Sequence, residues 1–288
     1  LESKRSVDER ALSRRVRDRL LAELPVGPRI VEAGCGTGVT VPRLLSWGVD
    51  AGRYRGVDTD PRVVAFARAV RPRELRYAGH AVDEKPRENG SRVDFDAAEL
   101  SVRFEAGDAL AALESPATAD LDLVVAQAFA DLVPLDRLLS AVESALRPGG
   151  LAYLPITFDG GTIFQPDHPA DEAVQRAYHA AIDERSGRDT RAGRHLIDRL
   201  GGREGDLLAV GSSDWIVRPA GGEAAGYPAD ERHFASRILG FVADAVPASP
   251  VEVPAFDDWL AARRDQLAAG ALTYVAHQYD LLYRAPTA

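Results

Sequence analysis

The sequence predicts an α/β fold, a doubly wound parallel sheet with helices on both faces. Short apolar segments alternate with amphipathic helical segments through residues 1–158, which is the pattern of consecutive βαβ units. The segment LDLVVAQAF at 121–129 is apolar at seven of its nine positions, as expected of a strand that is buried on both faces of a parallel sheet. With 288 residues, 45% of them hydrophobic, the chain is long enough for one large domain with additional helices.

The first half of the chain divides into helices and strands at proline and glycine residues. A helix is predicted at about 7–24, because leucine and valine recur at helical spacing and Pro25 ends the run. The polar stretch 71–100, centred on EKPRENGS, is predicted to be an insertion that forms a small hairpin outside the framework. The other predicted elements of this half are strands at 29–33, 54–58, 100–107, 121–129 and 151–158, and helices at 41–48, 60–70 and 134–150, the last closed by a Pro-Gly-Gly turn.

The second half carries more helix than a minimal doubly wound sheet requires. Its predicted elements are helices at 170–184, 190–201, 228–246 and 255–269, and strands at 206–218 and 272–284. We therefore expect a single domain over 1–288, whose sheet core comprises 25–158, 190–218 and 271–285. The insertions at about 165–185 and 227–270 are expected to form a helical lid that shields a site from water.

Three glycines in five residues follow the first strand, in the stretch RIVEAGCGTGVTVPRLL at 29–45. Such a loop lets a ligand approach the main chain and the positive end of the next helix. The dinucleotide fingerprint G-x-G-x-x-G would require glycine at position 39, where the sequence has Val39. Acidic residues stand near the ends of this strand and of the next two, namely Glu32, Asp58 and Asp108. The sequence therefore predicts carboxylates along one edge of the sheet.

Four motifs occur in a fixed order between residues 28 and 158: VEAGCGTG, GVDTDP, FEAGDAL, and LRPGG before a strand. With them the chain resembles the class I S-adenosylmethionine (SAM)-dependent methyltransferases. The resemblance implies a Rossmann-like, seven-stranded, mostly parallel sheet whose last strand, here 272–284, runs antiparallel. It also implies SAM as the cofactor and S-adenosylhomocysteine (SAH) as its product.

The resemblance assigns cofactor contacts to the glycine loop and the strand ends. Asp58 would accept hydrogen bonds from both ribose hydroxyls, and Asp108 would accept from the adenine amino group. Glu32 would orient the loop or reach the ammonium group of SAM through water, and Gln127 would offer its carbonyl to that ammonium; direct contact stays open for both. For each acidic residue, a role as a helix cap is the alternative. The predicted cofactor residues are Glu32, Gly34, Cys35, Gly36, Gly38, Asp58, Thr59, Gly107, Asp108, Ala109 and Gln127.

Acceptor-binding residues are expected beyond the carboxyl ends of the strands. The predicted substrate contacts are Phe129, Asp131, Phe158, Trp215 and Tyr274, and the candidate catalytic residues are Asp159 and His168. A plain surface position is the alternative for His168. His277 and Gln278 lie roughly 10 Å or more along the last strand at about 3.3 Å per residue, and are predicted to be buried polar partners. No metal site is predicted, and Cys35 is not expected to be a nucleophile, because no histidine lies near it in sequence.

The expected reaction is transfer of the SAM methyl group to a small-molecule acceptor by in-line displacement. The strand at 121–129 ends in AQAF and not in the Asn/Asp-Pro-Pro-aromatic run of enzymes that methylate bases or glutamine amides. A net charge of −9 disfavours nucleic acid as a partner, and no apolar run reaches the roughly 18 residues that would span a membrane. The single cysteine fits a reducing, cytoplasmic location. The alternatives are other SAM-dependent chemistry, an NAD(P)-dependent oxidoreductase, and a non-catalytic SAM-binding subunit; the oligomeric state is not indicated.

Overall fold

A computed structural model describes residues 1–86, 93–221 and 226–287 and confirms the mixed α/β architecture. The strands are β1 (Arg29–Ala33), β2 (Ala51–Asp58), β3 (Val82–Pro86), β4 (Val93–Ala97), β5 (Glu99–Ala106), β6 (Leu121–Val125), β7 (Leu146–Gln165), β8 (Asp206–Ser212), β9 (Trp215–Val217) and β10 (Thr273–Arg284). The helices are α1 (Arg5–Ala11), α2 (Arg14–Glu23), α3 (Thr40–Ser46), α4 (Pro61–Tyr77), α5 (Ala109–Leu113), α6 (Leu135–Ala145), α7 (Asp171–Asp183), α8 (Ala192–Gly201), α9 (Glu231–Ala245) and α10 (Phe256–Ala268). Within these described ranges, no helix is long and apolar enough to cross a membrane.

The described strands form one sheet in the order β3-β4-β5-β2-β1-β6-β7-β10-β8, with β9 paired to β10. Neighbours from β5 to β7 are parallel, whereas β10 runs antiparallel to both β7 and β8. The seven strands from β5 to β8 in this order are the predicted sheet with its antiparallel last strand. The antiparallel strands β3 and β4 extend one edge of the sheet, as predicted for the insertion; residues 87–92, which include part of EKPRENGS, lie outside the described residues.

The N-terminal helix predicted at 7–24 is broken into α1 and α2. The break falls at Leu12 and Ser13, where the Ser13 amide donates a hydrogen bond of 2.7 Å to Oδ2 of Asp280 on β10. Asp280 is fully buried, and its other oxygen accepts from the Ile156 amide at 2.8 Å. The prediction of one helix was wrong because this long-range contact takes the Ser13 amide away from the helix.

Three other element boundaries differ from the prediction. Helix α4 continues through Pro72 to Tyr77, because Arg71 on its inner face is buried and its Nε donates to the Thr37 carbonyl at 2.8 Å. Strand β7 begins at Leu146 and so includes the Pro-Gly-Gly segment, and it continues to Gln165 by pairing with β10. The strand predicted at 206–218 is two strands, β8 and β9, separated where the Ser213 amide donates to the Gln278 carbonyl.

Three clusters of buried side chains stabilise the fold. Two lie on opposite faces of the sheet, one under α5, α6 and α8, the other under α2, α3 and α4. The third packs α7, α9 and α10 around the fully buried Trp259, whose ring centroid lies 5.2 Å from that of Phe164 on β7. The helices predicted at 170–184, 228–246 and 255–269 therefore exist and have a core of their own.

Candidate active site

A cavity of about 460 Å³ lies at the carboxyl ends of β1, β2, β5 and β6. This volume is within the range of small-ligand pockets. Loops after these four strands supply most of the wall, and the N-terminal segment, defined here as residues 1–11, supplies much of the rest. The cavity brings together most of the predicted cofactor residues: Glu32, Gly34, Cys35, Gly36, Asp58, Thr59, Asp108, Ala109 and Gln127.

The glycine loop needs glycine for two different reasons. Gly34 has a φ of +71°, and a Cβ at this position would lie 2.4 Å from Cδ2 of Phe129, so the bare backbone lets an aromatic ring close over the loop. Gly38 also has a positive φ, but a Cβ there would lie 2.5 Å from Cζ of the buried Phe104. Gly38 does not line the cavity, and neither does Gly107. The geometry assigns Gly38 to the packing of the loop.

Asp58 connects the end of β2 to the glycine loop. Its Oδ2 accepts a hydrogen bond of 2.9 Å from the Gly36 amide, and its Oδ1 accepts one of 2.9 Å from the Asp60 amide. A carboxylate has about four lone-pair sites, so both oxygens keep capacity for ligand hydroxyls. The two amides hold the carboxylate in one orientation at the cavity wall, as a bidentate contact to a ribose would require.

Glu32 lies under the loop, where it is almost fully buried. Its Oε1 accepts from Oγ1 of Thr40 at 2.7 Å, and its Oε2 accepts from the hydroxyl of Tyr54. Burial raises the pKa of this carboxyl from 4.5 to about 7, against the lowering effect of both hydrogen bonds. Its donors come from α3 and β2, so Glu32, on β1, links these two elements beneath the loop. This arrangement can orient the loop, and the role of Glu32 at the cofactor stays a prediction.

Asp108 has the capping geometry that was its alternative interpretation. Its Oδ1 accepts from the amides of Leu110 and Ala111, at 2.8 and 3.1 Å, and so caps the N-terminus of α5. Both Asp108 and the following Ala109 nevertheless line the cavity. Only Oδ1 is used for the cap, while Oδ2 lies 4.0 Å from Nη1 of Arg137 in a long ion pair, so a ligand amino group would share Oδ2 with this cation.

Cys35 has the properties of an inert thiol. The side chain is buried, and desolvation, followed by the nearby charges of Glu32 and Asp58, raises the pKa of the thiol well above its usual range. The thiolate, which is the nucleophilic form, is therefore strongly disfavoured.

Gln127 is held between two charged side chains, neither of which the sequence analysis identified. Its Oε1 accepts from Arg43 of α3, and its Nε2 donates to Oδ2 of Asp8 at 3.2 Å. Asp8, on α1, is 1% exposed and lines the cavity together with Leu1, Lys4 and Arg5. No motif marks this segment; the available signal is the opposite charge of Lys4 and Asp8, four residues apart on one helical face.

Of the predicted substrate contacts, Phe129 lines the cavity and Asp131 lies beside it. Asp131 is in a 3₁₀ turn (Ala130–Leu132), next to the cavity-lining Leu132. Desolvation raises the pKa of the half-buried Asp131 carboxyl to about 6, although the nearby cations Arg188 and Lys4 lower it. The sequence therefore placed these two side chains on the correct edge of the sheet.

The other three predicted substrate contacts lie away from the cavity. Phe158 packs against the ring of His179 on α7, and Tyr274 is buried against Phe164 in the third cluster. Trp215 reaches the site indirectly, because its Nε1 donates to Oδ1 of Asp8 at 2.8 Å. Its geometry is that of a residue that positions Asp8.

The two candidate catalytic residues are also placed away from the cavity. Asp159 is 2% exposed and is held by Arg194, whose main-chain amide donates to Oδ1 and whose Nη2 donates to Oδ2, each at 2.8 Å. His168 begins the turn into α7, with its amide donating to Asp171 and its Nδ1 accepting from the Ala170 amide. Both assignments assumed a strand that ends near residue 158, and they do not fit a β7 that continues to Gln165.

The cavity wall also differs from the expected helical lid. In the described part of the chain, α7, α9 and α10 contribute no cavity-lining residue, and the segment between α7 and α8 contributes Arg188. Gly187 in that segment lies against Pro134, where a Cβ would be 2.9 Å from the proline ring. The N-terminal segment and the connection between α7 and α8 thus supply parts of the wall that the lid helices were expected to supply.

Comparison with known proteins agrees with this geometry. A family model described as "Methyltransferase domain" matches residues 31–154, the part that runs from β1 into β7 and contains every predicted cofactor residue. A search of curated protein sequences gave no match.

Among solved structures, a putative methyltransferase from Bacillus halodurans is 13% identical, with a TM-score of 0.53 over 94% of this chain and 98% of that one. At this identity the likeness supports a shared fold. A SAM-dependent methyltransferase from Thiobacillus denitrificans in complex with SAH is 19% identical, with a TM-score of 0.46 over 96% and 92% of the two chains. The geranyl diphosphate C-methyltransferase from Streptomyces coelicolor is 14% identical, with a TM-score of 0.46 over 96% and 78%.

The strand order, the glycine loop and the strand-end carboxylates coincide with the segment that the family model matches. Within residues 31–154 the chain therefore matches a methyltransferase domain, in agreement with its resemblance to the class I SAM-dependent methyltransferases.

Proposed function

We propose that the chain transfers the methyl group of SAM to a small-molecule acceptor bound in the cavity at the carboxyl edge of the sheet. The observation that carries this proposal is the convergence of Gly34, Gly36, Asp58 and Asp108 on one cavity of about 460 Å³. These residues offer open main chain, a fixed carboxylate for the ribose, and a carboxylate oxygen for the adenine amino group. The Ala109 amide, at the start of α5, would donate to an adenine ring nitrogen.

Methyl transfer from a sulfonium requires little chemistry from the protein. The acceptor atom attacks the methyl carbon, and the electrons of the breaking carbon–sulfur bond go to sulfur, which leaves as neutral SAH. Positioning and exclusion of water are the main contributions of the enzyme. Phe129, packed on Gly34, would shield the reacting groups from water.

A small acceptor is favoured over a macromolecule for two reasons. The cavity of about 460 Å³ is within the size range of small-ligand pockets, and the N-terminal segment and Arg188 both contribute to its wall. The net charge of −9 opposes binding of nucleic acid.

The test has two stages. Calorimetry with SAM, SAH and NADH should show binding of the first two and none of NADH. The protein is then incubated with SAM and a small-molecule extract, and products are analysed by mass spectrometry for species that gain one methyl group as SAH appears. Binding of NADH, or binding of SAM with SAH never formed in any acceptor pool, would contradict the proposal.

A further inference from the structure

The cavity has one wall that the methyltransferase motifs do not supply. Lys4 and Asp8 line it from the N-terminal segment, outside residues 31–154 that match the family model. Their side chains form an ion pair, with Nζ of Lys4 2.5 Å from Oδ2 of Asp8. The pair is 17% exposed at Lys4 and 1% exposed at Asp8. An i,i+4 ion pair of this kind normally lies on the solvent-exposed face of a helix.

Three donors fix the Asp8 carboxylate in this position. Trp215 donates to Oδ1 at 2.8 Å, and Gln127 and Lys4 donate to Oδ2. Gln127 is oriented in turn by Arg43, which donates to its amide oxygen. Burying a carboxylate is costly unless it is paired and hydrogen-bonded. Four side chains from separate parts of the chain, those of Lys4, Arg43, Gln127 and Trp215, therefore hold one negative charge at the cavity wall.

The Lys4 ammonium is placed by two contacts of its own. Besides the ion pair, its Nζ lies 5.4 Å from the centroid of the Trp215 ring, a cation–π distance. The Trp215 side chain thus contacts both members of the pair and keeps a positive and a negative group side by side. The arrangement is complementary to a ligand that carries an ammonium and a carboxylate on one carbon atom.

The amino-acid end of SAM is such a ligand. We propose that Asp8 accepts hydrogen bonds from the SAM ammonium group and that Lys4 donates to the SAM carboxylate, so that the N-terminal segment completes the cofactor site. Trp215 and Gln127 act as positioning residues for Asp8. The inference rests on the proposed function, because it takes SAM as the occupant of the cavity. In this proposal the SAM ammonium group contacts Asp8, whereas the sequence predicted a contact of that group with the side-chain carbonyl of Gln127.

The test compares SAH with 5′-methylthioadenosine, which keeps the adenosine and the sulfur but lacks the amino acid. Both ligands are titrated by calorimetry into the wild type and the variants Asp8→Asn, Lys4→Gln and Lys4→Arg. Asp18→Asn is the matched control, because it removes a carboxylate from an exposed position on α2. We expect Asp8→Asn and Lys4→Gln to weaken SAH at least tenfold and to change the affinity for 5′-methylthioadenosine less than twofold. Lys4→Arg and the control should keep the wild-type ratio of the two affinities.

The outcomes distinguish binding of the amino-acid end of SAM by Lys4 and Asp8 from a role of these residues in the fold of the cavity wall. Equal weakening of both ligands would assign Lys4 and Asp8 to the fold of the cavity wall and overturn the inference. An unchanged ratio in Lys4→Gln would also overturn it, and this variant remains informative if Asp8→Asn fails to fold. A wild-type protein that binds neither ligand would instead contradict the proposed function, so the two failures are distinguishable.

Discussion

Replacing Glu32 with glutamine should change how the stability of the ligand-free protein depends on pH. In the folded chain the pKa of this carboxyl is raised from 4.5 to about 7, chiefly by burial. Between these two values the folded state binds more protons than the unfolded state, so stability falls as pH rises through this window. For a single carboxyl with these two pKa values, the loss between pH 5 and pH 8 is about 2–3 kcal/mol. Above pH 8 the loss is nearly complete.

The Glu32→Gln variant removes this titration and keeps the shape of the side chain. A glutamine can still accept from Thr40 through its oxygen, and the Tyr54 hydroxyl can rotate to accept from its amide. Urea unfolding at pH 5, 6, 7 and 8 gives the free energy of unfolding of each protein. We expect the wild type to lose about 2–3 kcal/mol relative to Glu32→Gln over this range.

The matched control for this experiment is Glu99→Gln, which removes a carboxylate from an exposed position on β5. The difference in free energy of unfolding between this control and the wild type should stay nearly constant with pH. The reasoning is that burial raises the pKa of Glu32 more than its two hydrogen bonds lower it. It would be refuted if the difference in free energy of unfolding between Glu32→Gln and the wild type stayed constant with pH, or if it changed in favour of the wild type at high pH.

Three further predictions concern the glycine loop and its surroundings. Asp58→Asn should weaken SAM binding by roughly tenfold to a hundredfold, the equivalent of about 1.5–3 kcal/mol for a hydrogen bond to a charged group; calorimetry showing unchanged affinity would contradict the ribose contact. Gly34→Ala should weaken SAM binding, because its Cβ would displace Phe129. Gly38→Ala should lower the unfolding temperature and leave the SAM affinity of the folded protein within about twofold. Equal effects of the two variants on SAM binding would contradict the assignment of Gly34 to the cavity and of Gly38 to packing. Cys35 should resist iodoacetamide at pH 8 until urea unfolds the chain, and rapid labelling of the native protein would show that the thiol is accessible.

The strand-end carboxylates could be predicted because they depend on local sequence and on one rule of topology. Parallel strands end at the same edge of the sheet, so Glu32, Asp58 and Asp108 converge there whatever the remaining chain does. The alternation of strands and helices followed for the same reason, since each βαβ unit carries its own periodicity, whereas the number of seven strands was implied by the resemblance to the class I SAM-dependent methyltransferases. Phe129 was also found in this way, as the aromatic residue that follows β6.

Phe158, Asp159 and His168 were predicted to lie at the site because the sequence pattern indicated that the fifth strand ends near residue 158. β7 pairs with β10 as far as Gln165, and this antiparallel pairing extends it beyond the edge at which the other strands stop. Phe158 and Asp159 therefore lie within the strand, and Asp159 is used to bind Arg194 of α8. The pairing joins residues more than a hundred positions apart, which no local pattern records.

The N-terminal segment was missed for a related reason. Asp8 contacts Gln127 and Trp215, and its proximity to the glycine loop exists only once β6, β9 and α1 are assembled. In the sequence, LESKRSVDERALSRR has the composition of an exposed charged helix. The burial of Asp8 follows from its long-range partners and not from its neighbours in sequence.

The helices expected to close the site serve the N-terminal segment instead. Glu231, the first residue of α9, has a fully buried carboxylate that accepts from Oγ of Ser6 at 2.7 Å and from Nη2 of Arg10 at 2.9 Å. These donors lie on α1 together with Asp8, so α9 holds in place the helix that supplies the cavity wall. The Glu231 carboxylate is fully buried whereas the Arg10 side chain is 49% exposed, so loss of the α1 donors would leave a buried carboxylate short of partners, and the contact restrains the position of α1. The third cluster therefore contributes to the site through α1, and a deletion of 228–269 would remove the support of the cavity wall without removing any residue that lines it.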